Sequence, residues 1–136
     1  MALSDCRIIE LPKIPDDRGN LSFFENNKQL PFEISRVYWI YDVPGGEVRG
    51  GHAYENLQEV IIALSGSFDV LLTDGISEKK FTLNRSYYGL YIPKMIWRSL
   101  ENFSTNSLAF IATDHLYEEK QYIRDFDEFK NKYNEK

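Results

Sequence analysis

Most of the chain is patterned as short strands. Arg36–Asp42 is aromatic and β-branched and runs into the turn signal Pro44-Gly45-Gly46. Glu59–Leu64 is an almost unbroken apolar run closed by Ser65-Gly66. Ser67–Thr73 alternates, and Asp74-Gly75 turns it back into Lys79–Leu83 as a hairpin. Gly89–Pro93 and Ser107–Thr113 are further strands, and Cys6–Leu11 is short and apolar enough to be an edge strand. Turn signals every ~8–12 residues are the spacing of an antiparallel sandwich or barrel. The C-terminal segment changes period. Tyr122, Ile123, Phe126, Phe129 and Tyr133 recur at helical spacing among charges. They predict a short amphipathic helix bracing the sandwich, with residues 131–136 fraying.

Composition narrows the class. The 136 residues fit a single domain over residues 1–136. Hydrophobic residues make up 43% and aromatics 15%, which is enough to fill a core and excludes disorder for most of the chain. Sixteen Lys and Arg against 21 Asp and Glu leave a net charge of −5. That excludes a nonspecific nucleic-acid binder, but not an anionic ligand, because a few placed arginines hold a phosphate whatever the net charge. Cys6 is the single cysteine, so there is no intrachain disulfide, and the thiol fits a cytoplasmic protein. No segment approaches the ~18 apolar residues of a membrane helix, so no membrane association is expected. The start, MALSDCRIIELPK, meets acidic residues and prolines at once, unlike a signal peptide.

Two spaced motifs carry the chemistry. Gly46 to Gly66 follows the spacing of the first cupin motif, with His52, Glu59 and Gly66 in place and Tyr54 where a second His stands. Pro93-Lys-Met95-Ile-Trp97-Arg98 to Asn102 follows the second motif, with Met95 for its Gly and Arg98 for its His. The pair predicts an all-β, cupin-type jelly-roll β-barrel, a fold with an interior wide enough for one ligand. In a metal cupin the paired His, the Glu and the later His hold the ion. Strand alternation points His52 and Tyr54 the same way. A neutral phenol is a poor ligand and a guanidinium offers donors only, so the sequence predicts a metal-free interior.

The matches narrow further. They include Asp17-Arg18-Gly19-Asn20-Leu21, Leu30-Pro31-Phe32, Arg36-Val-Tyr38-Trp-Ile-Tyr-Asp42, Arg49-Gly-Gly-His52-Ala, Gly89-Leu-Tyr-Ile-Pro93 with Trp97, and Tyr122-Ile-Arg124-Asp-Phe-Asp127. Almost end to end, the chain resembles the dTDP-sugar 3,4-ketoisomerases of the metal-independent cupin group. The usual signature Arg-Gly-x-His-Ala-His ends here in Tyr54, and Trp-His after the late proline is Trp97-Arg98. The resemblance implies conversion of a dTDP-4-keto-6-deoxyhexose into its 3-keto isomer through an enediol, without a cofactor. It also implies a homodimer that exchanges N-terminal strands, for which Cys6–Leu11 is the candidate.

Such a shift needs a base near neutral pKa and an electrophile for the oxygens. His52 suits the base. Tyr54 would bond a sugar oxygen or relay a proton, Tyr38 would act as acid, and Arg18 would steady the enolate oxygen. Arg49 and Arg98 are assigned to the diphosphate, Gln58 to polar atoms of the ligand, and Trp97 or Tyr91 to stacking on thymine. His115 is expected to be structural or exposed. Two other readings are a nucleotide keto-sugar epimerase and a non-catalytic sugar-nucleotide binder.

Overall fold

The computed structural model describes residues 2–134. Twelve strands are present among them: β1 (Arg7–Glu10), β2 (Lys13–Ile14), β3 (Leu21–Ser22), β4 (Arg36–Ile40), β5 (Arg49–Tyr54), β6 (Glu59–Ser65), β7 (Phe68–Thr73), β8 (Glu78–Leu83), β9 (Tyr88–Ile92), β10 (Trp97–Glu101), β11 (Leu108–Thr113) and β12 (Tyr122–Ile123). One α-helix, α1 (Phe126–Asn134), follows. The strands form two five-stranded sheets, ordered β1-β9-β6-β11-β4 and β12-β5-β10-β7-β8, with β2 and β3 as a separate ribbon. All pairings are antiparallel. The result is an all-β jelly roll of the cupin type with a short C-terminal helix, and its two sheets do not close into one hydrogen-bonded ring.

The core lies between the sheets. Ile61, Leu90 and Ile111 from the first sheet meet Val70, Leu72 and Leu100 from the second. The other face of the first sheet is covered as well. Val60, Ile62, Tyr91 and Ala112 pack under Leu11, Leu30 and Phe32. Burial on both faces is why Glu59–Leu64 reads as an apolar run rather than an alternating strand. Main-chain pairing and capping complete the hairpin at Asp74-Gly75. Thr73 pairs with Glu78, and the Asp74 carboxylate accepts the Ile76 and Ser77 amides at 2.9 and 2.8 Å.

Two elements differ from the sequence reading. The helix does not begin at Tyr122. Tyr122 and Ile123 form β12 and pair with Tyr54 and Ala53, and the helix starts at Phe126, with its first turn bonding back to Asp125. Ile123 and Phe129 still share one apolar cluster with Ala53 and Met95, so a strand and a helix use the same buried face that one continuous helix was expected to use. The helix also continues through Asn134, within the segment expected to fray, while residues 135 and 136 lie outside the described residues. The second difference is β10, a strand where the sequence predicts only the second motif. It pairs with both β5 and β7 and shifts register against β5 between Arg98 and Ser99. Gly50 lies at that shift with φ +95°, and a Cβ there would stand 3.2 Å from the Arg98 carbonyl oxygen. The close approach places His52 directly across from Arg98.

Among the described residues, no helix is long and apolar enough to cross a membrane.

Candidate active site

A cavity of about 500 Å³ opens between the sheets, with β4, β5, β6, β10 and β12 supplying its wall. His52 and Tyr54 enter it from β5, Tyr38 from β4, Glu59 from β6 and Arg98 from β10. Alternation explains the set: residues i and i+2 on β5 share a face, and the neighbours across the sheets do the same.

At the centre is a buried ion pair. Glu59 and Arg98 are each about 1% exposed, and Arg98 Nη1 donates to Glu59 Oε1. Arg98 also spends Nε and Nη2 on the Ile96 carbonyl, at 3.3 and 3.0 Å. The other Glu59 oxygen accepts the Tyr38 hydroxyl at 3.1 Å, and the Tyr38 and Tyr54 hydroxyls lie 3.4 Å apart. The Arg98 guanidinium stands 4.9 Å from the centre of the Tyr54 ring. Burial, and then the Glu59 charge, push both phenols far above their usual range, so they stay protonated.

His52 packs edge-on to Tyr54 at 4.8 Å and against Tyr122 at 5.2 Å. Its Nε2 is buried and has no hydrogen-bond partner. The backbone of Gly50 bonds the ring, which leaves that bond to Nδ1 and keeps Nε2 as a bare lone pair. Burial, followed by the Arg98 charge, holds the imidazole down to about 3, with Arg124 and Arg49 adding to the effect. His52 is therefore a neutral imidazole in the cavity wall. Arg49 and Arg124 also line the cavity, and the Arg124 guanidinium stands over the Tyr122 ring at 4.2 Å. Arg124 also pairs with Glu119 on the surface, at 3.0 Å.

The structure brings together His52, Tyr54, Tyr38, Arg49 and Arg98, but not the rest of the expected set. Arg98 is in the wall rather than free for a phosphate, because Glu59 and Ile96 take its donors. Trp97 is one residue out of phase with Arg98. It points out of the barrel onto Phe126 and Phe129 at 5.2 and 5.7 Å. Tyr91 and Gln58 belong to the opposite face of the first sheet. There the Tyr91 hydroxyl donates to Gln58 at 2.6 Å, and Gln58 donates to Asp114 at 2.9 Å. Arg18 is in the loop between β2 and β3, 89% exposed and paired with Asp16 at 2.8 Å. His115 bonds Asp114 at 2.8 Å away from the cavity, in line with its structural reading. Cys6 is buried, and desolvation pushes its thiol up to about 11. Sequence reasoning missed Tyr122 and Arg124 at the site. Their signal was present in Tyr122-Ile123-Arg124, whose period was read as helical.

The family model described as FdtA (WxcM-like, C-terminal) matches residues 4–134. A curated TDP-4-oxo-6-deoxy-alpha-D-glucose-3,4-oxoisomerase from Aneurinibacillus thermoaerophilus is 40% identical over 124 residues, covering 91% of this chain and 89% of that protein. The fold superposes with a TM-score of 0.90 on a TDP-quinovose 3,4-ketoisomerase of Campylobacter jejuni, at 44% identity over 95% of this chain and 99% of that one. It superposes at 0.96 on a histidine-to-asparagine mutant of a 3,4-ketoisomerase from Thermoanaerobacterium thermosaccharolyticum, solved with TDP-4-keto-6-deoxyglucose, at 30% identity over 98% and 97% of the two chains. The chain belongs to the FdtA-like family of TDP-sugar 3,4-ketoisomerases.

Proposed function

We propose that this protein is a dTDP-sugar 3,4-ketoisomerase, acting on a dTDP-4-keto-6-deoxyhexose and working as one catalytic domain. The observation that carries the reading is the bare His52 Nε2 in a cavity walled by protonated phenols. His52 takes the C3 proton. The electron pair forms the C3–C4 double bond, and the C4 carbonyl oxygen becomes an enolate. A proton passes from the C3 oxygen to the C4 oxygen. The C3 oxygen then closes to a carbonyl, and protonated His52 returns its proton to C4. The site needs no redox partner for this, because nothing is gained or lost overall. Arg49, with Arg124 beside it, holds the diphosphate at the mouth.

The reaction runs without a metal. Glu59, one of the positions where metal cupins carry ligands, has both oxygens engaged, and the Arg98 charge beside it repels a divalent ion. The working form is a homodimer. Val37, Trp39 and Tyr41 leave an exposed apolar strip along the edge strand β4. Trp39 also lines the cavity, so a partner seated there borders the site. Arg18, exposed and outside the lining of its own chain's cavity, then serves the partner's cavity.

Proton NMR with dTDP-4-keto-6-deoxyglucose in deuterated buffer and chelator tests the reading. A 3-keto sugar carrying deuterium is expected. Inversion of a centre with no shift of the carbonyl would establish the epimerase instead, and binding without exchange would establish a binder.

A further inference from the structure

The hydroxyl chain in the cavity wall has a direction, and the direction follows from counting protons. Glu59 accepts and does not donate: one oxygen takes Arg98 and the other takes Tyr38. A phenol has one proton. The Tyr38 proton is committed to Glu59, so Tyr38 meets Tyr54 as an acceptor, and Tyr54 is the donor across the 3.4 Å gap. Tyr122 is the other phenol beside Tyr54, with rings 4.7 Å apart, and it keeps its own proton, whereas the Tyr38 proton is held by Glu59. What both hydroxyls have left for the cavity is lone pairs. His52 Nε2 adds a third lone pair with no proton. Donors stand elsewhere, on the Tyr122 hydroxyl and on Arg49 and Arg124.

We propose that Glu59 is a positioning residue that polarises the Tyr38–Tyr54 hydroxyl pair into an acceptor-only wall, and that this wall selects ligands with a free hydroxyl at the carbon beside the reacting carbonyl. The proposal rests on the sugar-nucleotide reading above. Arg98 has the matching role: its guanidinium donates to the second Glu59 oxygen, so both oxygens of the buried carboxylate accept. A hydroxyl donates into this wall. A fluorine in its place, similar in size and without a proton, faces lone pairs and leaves them unpaired, which is costly in a buried site.

The test is calorimetric binding of two stable ligands, dTDP-6-deoxyglucose and its 3-deoxy-3-fluoro analogue. The wild type is expected to prefer the hydroxyl ligand by about tenfold or more. In Glu59→Gln the side-chain amide donates to Tyr38, which is then free to donate to Tyr54, and the preference falls to about twofold or less. Tyr38→Phe removes the middle link while leaving the Glu59–Arg98 pair intact, and is expected to flatten the preference in the same way, so the test stands if Glu59→Gln fails to fold. A merely structural Glu59 would weaken both ligands together and leave their ratio unchanged. An unchanged ratio in a folded variant overturns the proposal, as does a wild type that turns over substrate yet binds both ligands equally. Failure to bind either ligand, or dTDP itself, overturns the sugar-nucleotide reading and this proposal with it.

Discussion

His52 makes no hydrogen bond through Nε2, so its removal tests chemistry more than folding. His52→Asn is expected to lower turnover by ~10²–10⁴-fold and to abolish deuterium exchange at C3, read by proton NMR, with the melting temperature little changed at neutral pH. The same residue makes stability pH-dependent. Its folded pKa, about 3, is below the unfolded 6.5. Between those values the unfolded chain binds the extra proton, so stability falls as the pH falls through that window, by on the order of a few kcal/mol at its acid end. Denaturant midpoints at pH 7 and pH 5 are expected to separate more in wild type than in His52→Asn. At this scale the sequence was informative where one strand decides. Alternation alone placed His52 and Tyr54 on one face, and the same rule, applied from Arg98, sends Trp97 outward. It could not show that Arg98 would be spent on Glu59, because that pair joins β10 to β6 across the two sheets. Removing one partner leaves a buried charge alone, so Arg98→Met is expected to cost ~3–5 kcal/mol in equilibrium denaturation.

The elements follow the sequence where burial is simple. Alternating β7 and doubly buried β6 were both legible from their patterns. The second cupin motif was legible despite losing its glycine, because the backbone kept what glycine supplies: Met95 has φ +58°, and its amide bonds the Tyr54 carbonyl at 2.9 Å. At the start of the C-terminal segment the sequence predicts helix where a strand forms, because two residues are too few to separate a period of two from one of 3.6. Which of them forms depends on the free edge of β5, a neighbour far away in sequence. Helix α1 is held by Phe129, which is fully buried against Trp97 and Tyr133. Phe129→Ala is expected to cost ~3–5 kcal/mol and to loosen α1 from the second sheet. Trp97 sits under Phe129, so its fluorescence, with the Trp39 emission measured in a Trp97→Phe variant subtracted, is expected to shift to the red. An unshifted Trp97 signal would mean that Phe126 alone docks the helix.

At the scale of the whole molecule, the described chain contains a cavity with a base, phenols and cationic groups, while Arg18 stands on the β2–β3 ribbon with 89% of its side chain exposed. Nothing local in Asp17-Arg18-Gly19 says which cavity the ribbon approaches. That is a property of the assembly, and so it is the part of the site least legible in one sequence. The proposed dimer makes two demands. Sedimentation is expected to give twice the 16.0 kDa chain mass, and Trp39→Glu, which puts a charge into the exposed strip on β4, is expected to return it to a single chain. The second demand concerns catalysis. If Arg18 serves the partner's cavity, Arg18→Ala and His52→Asn homodimers each lack one component at both sites. A mixed dimer carries one site with His52 and the partner's Arg18 both intact. Refolding the two variants together at equal amounts makes about half of the dimers mixed, each with one good site of two, so roughly a quarter of wild-type turnover is expected to return. Turnover equal to the sum of the separate variants would place Arg18 with its own chain, and the ribbon would then have to fold back over the cavity it now leaves open.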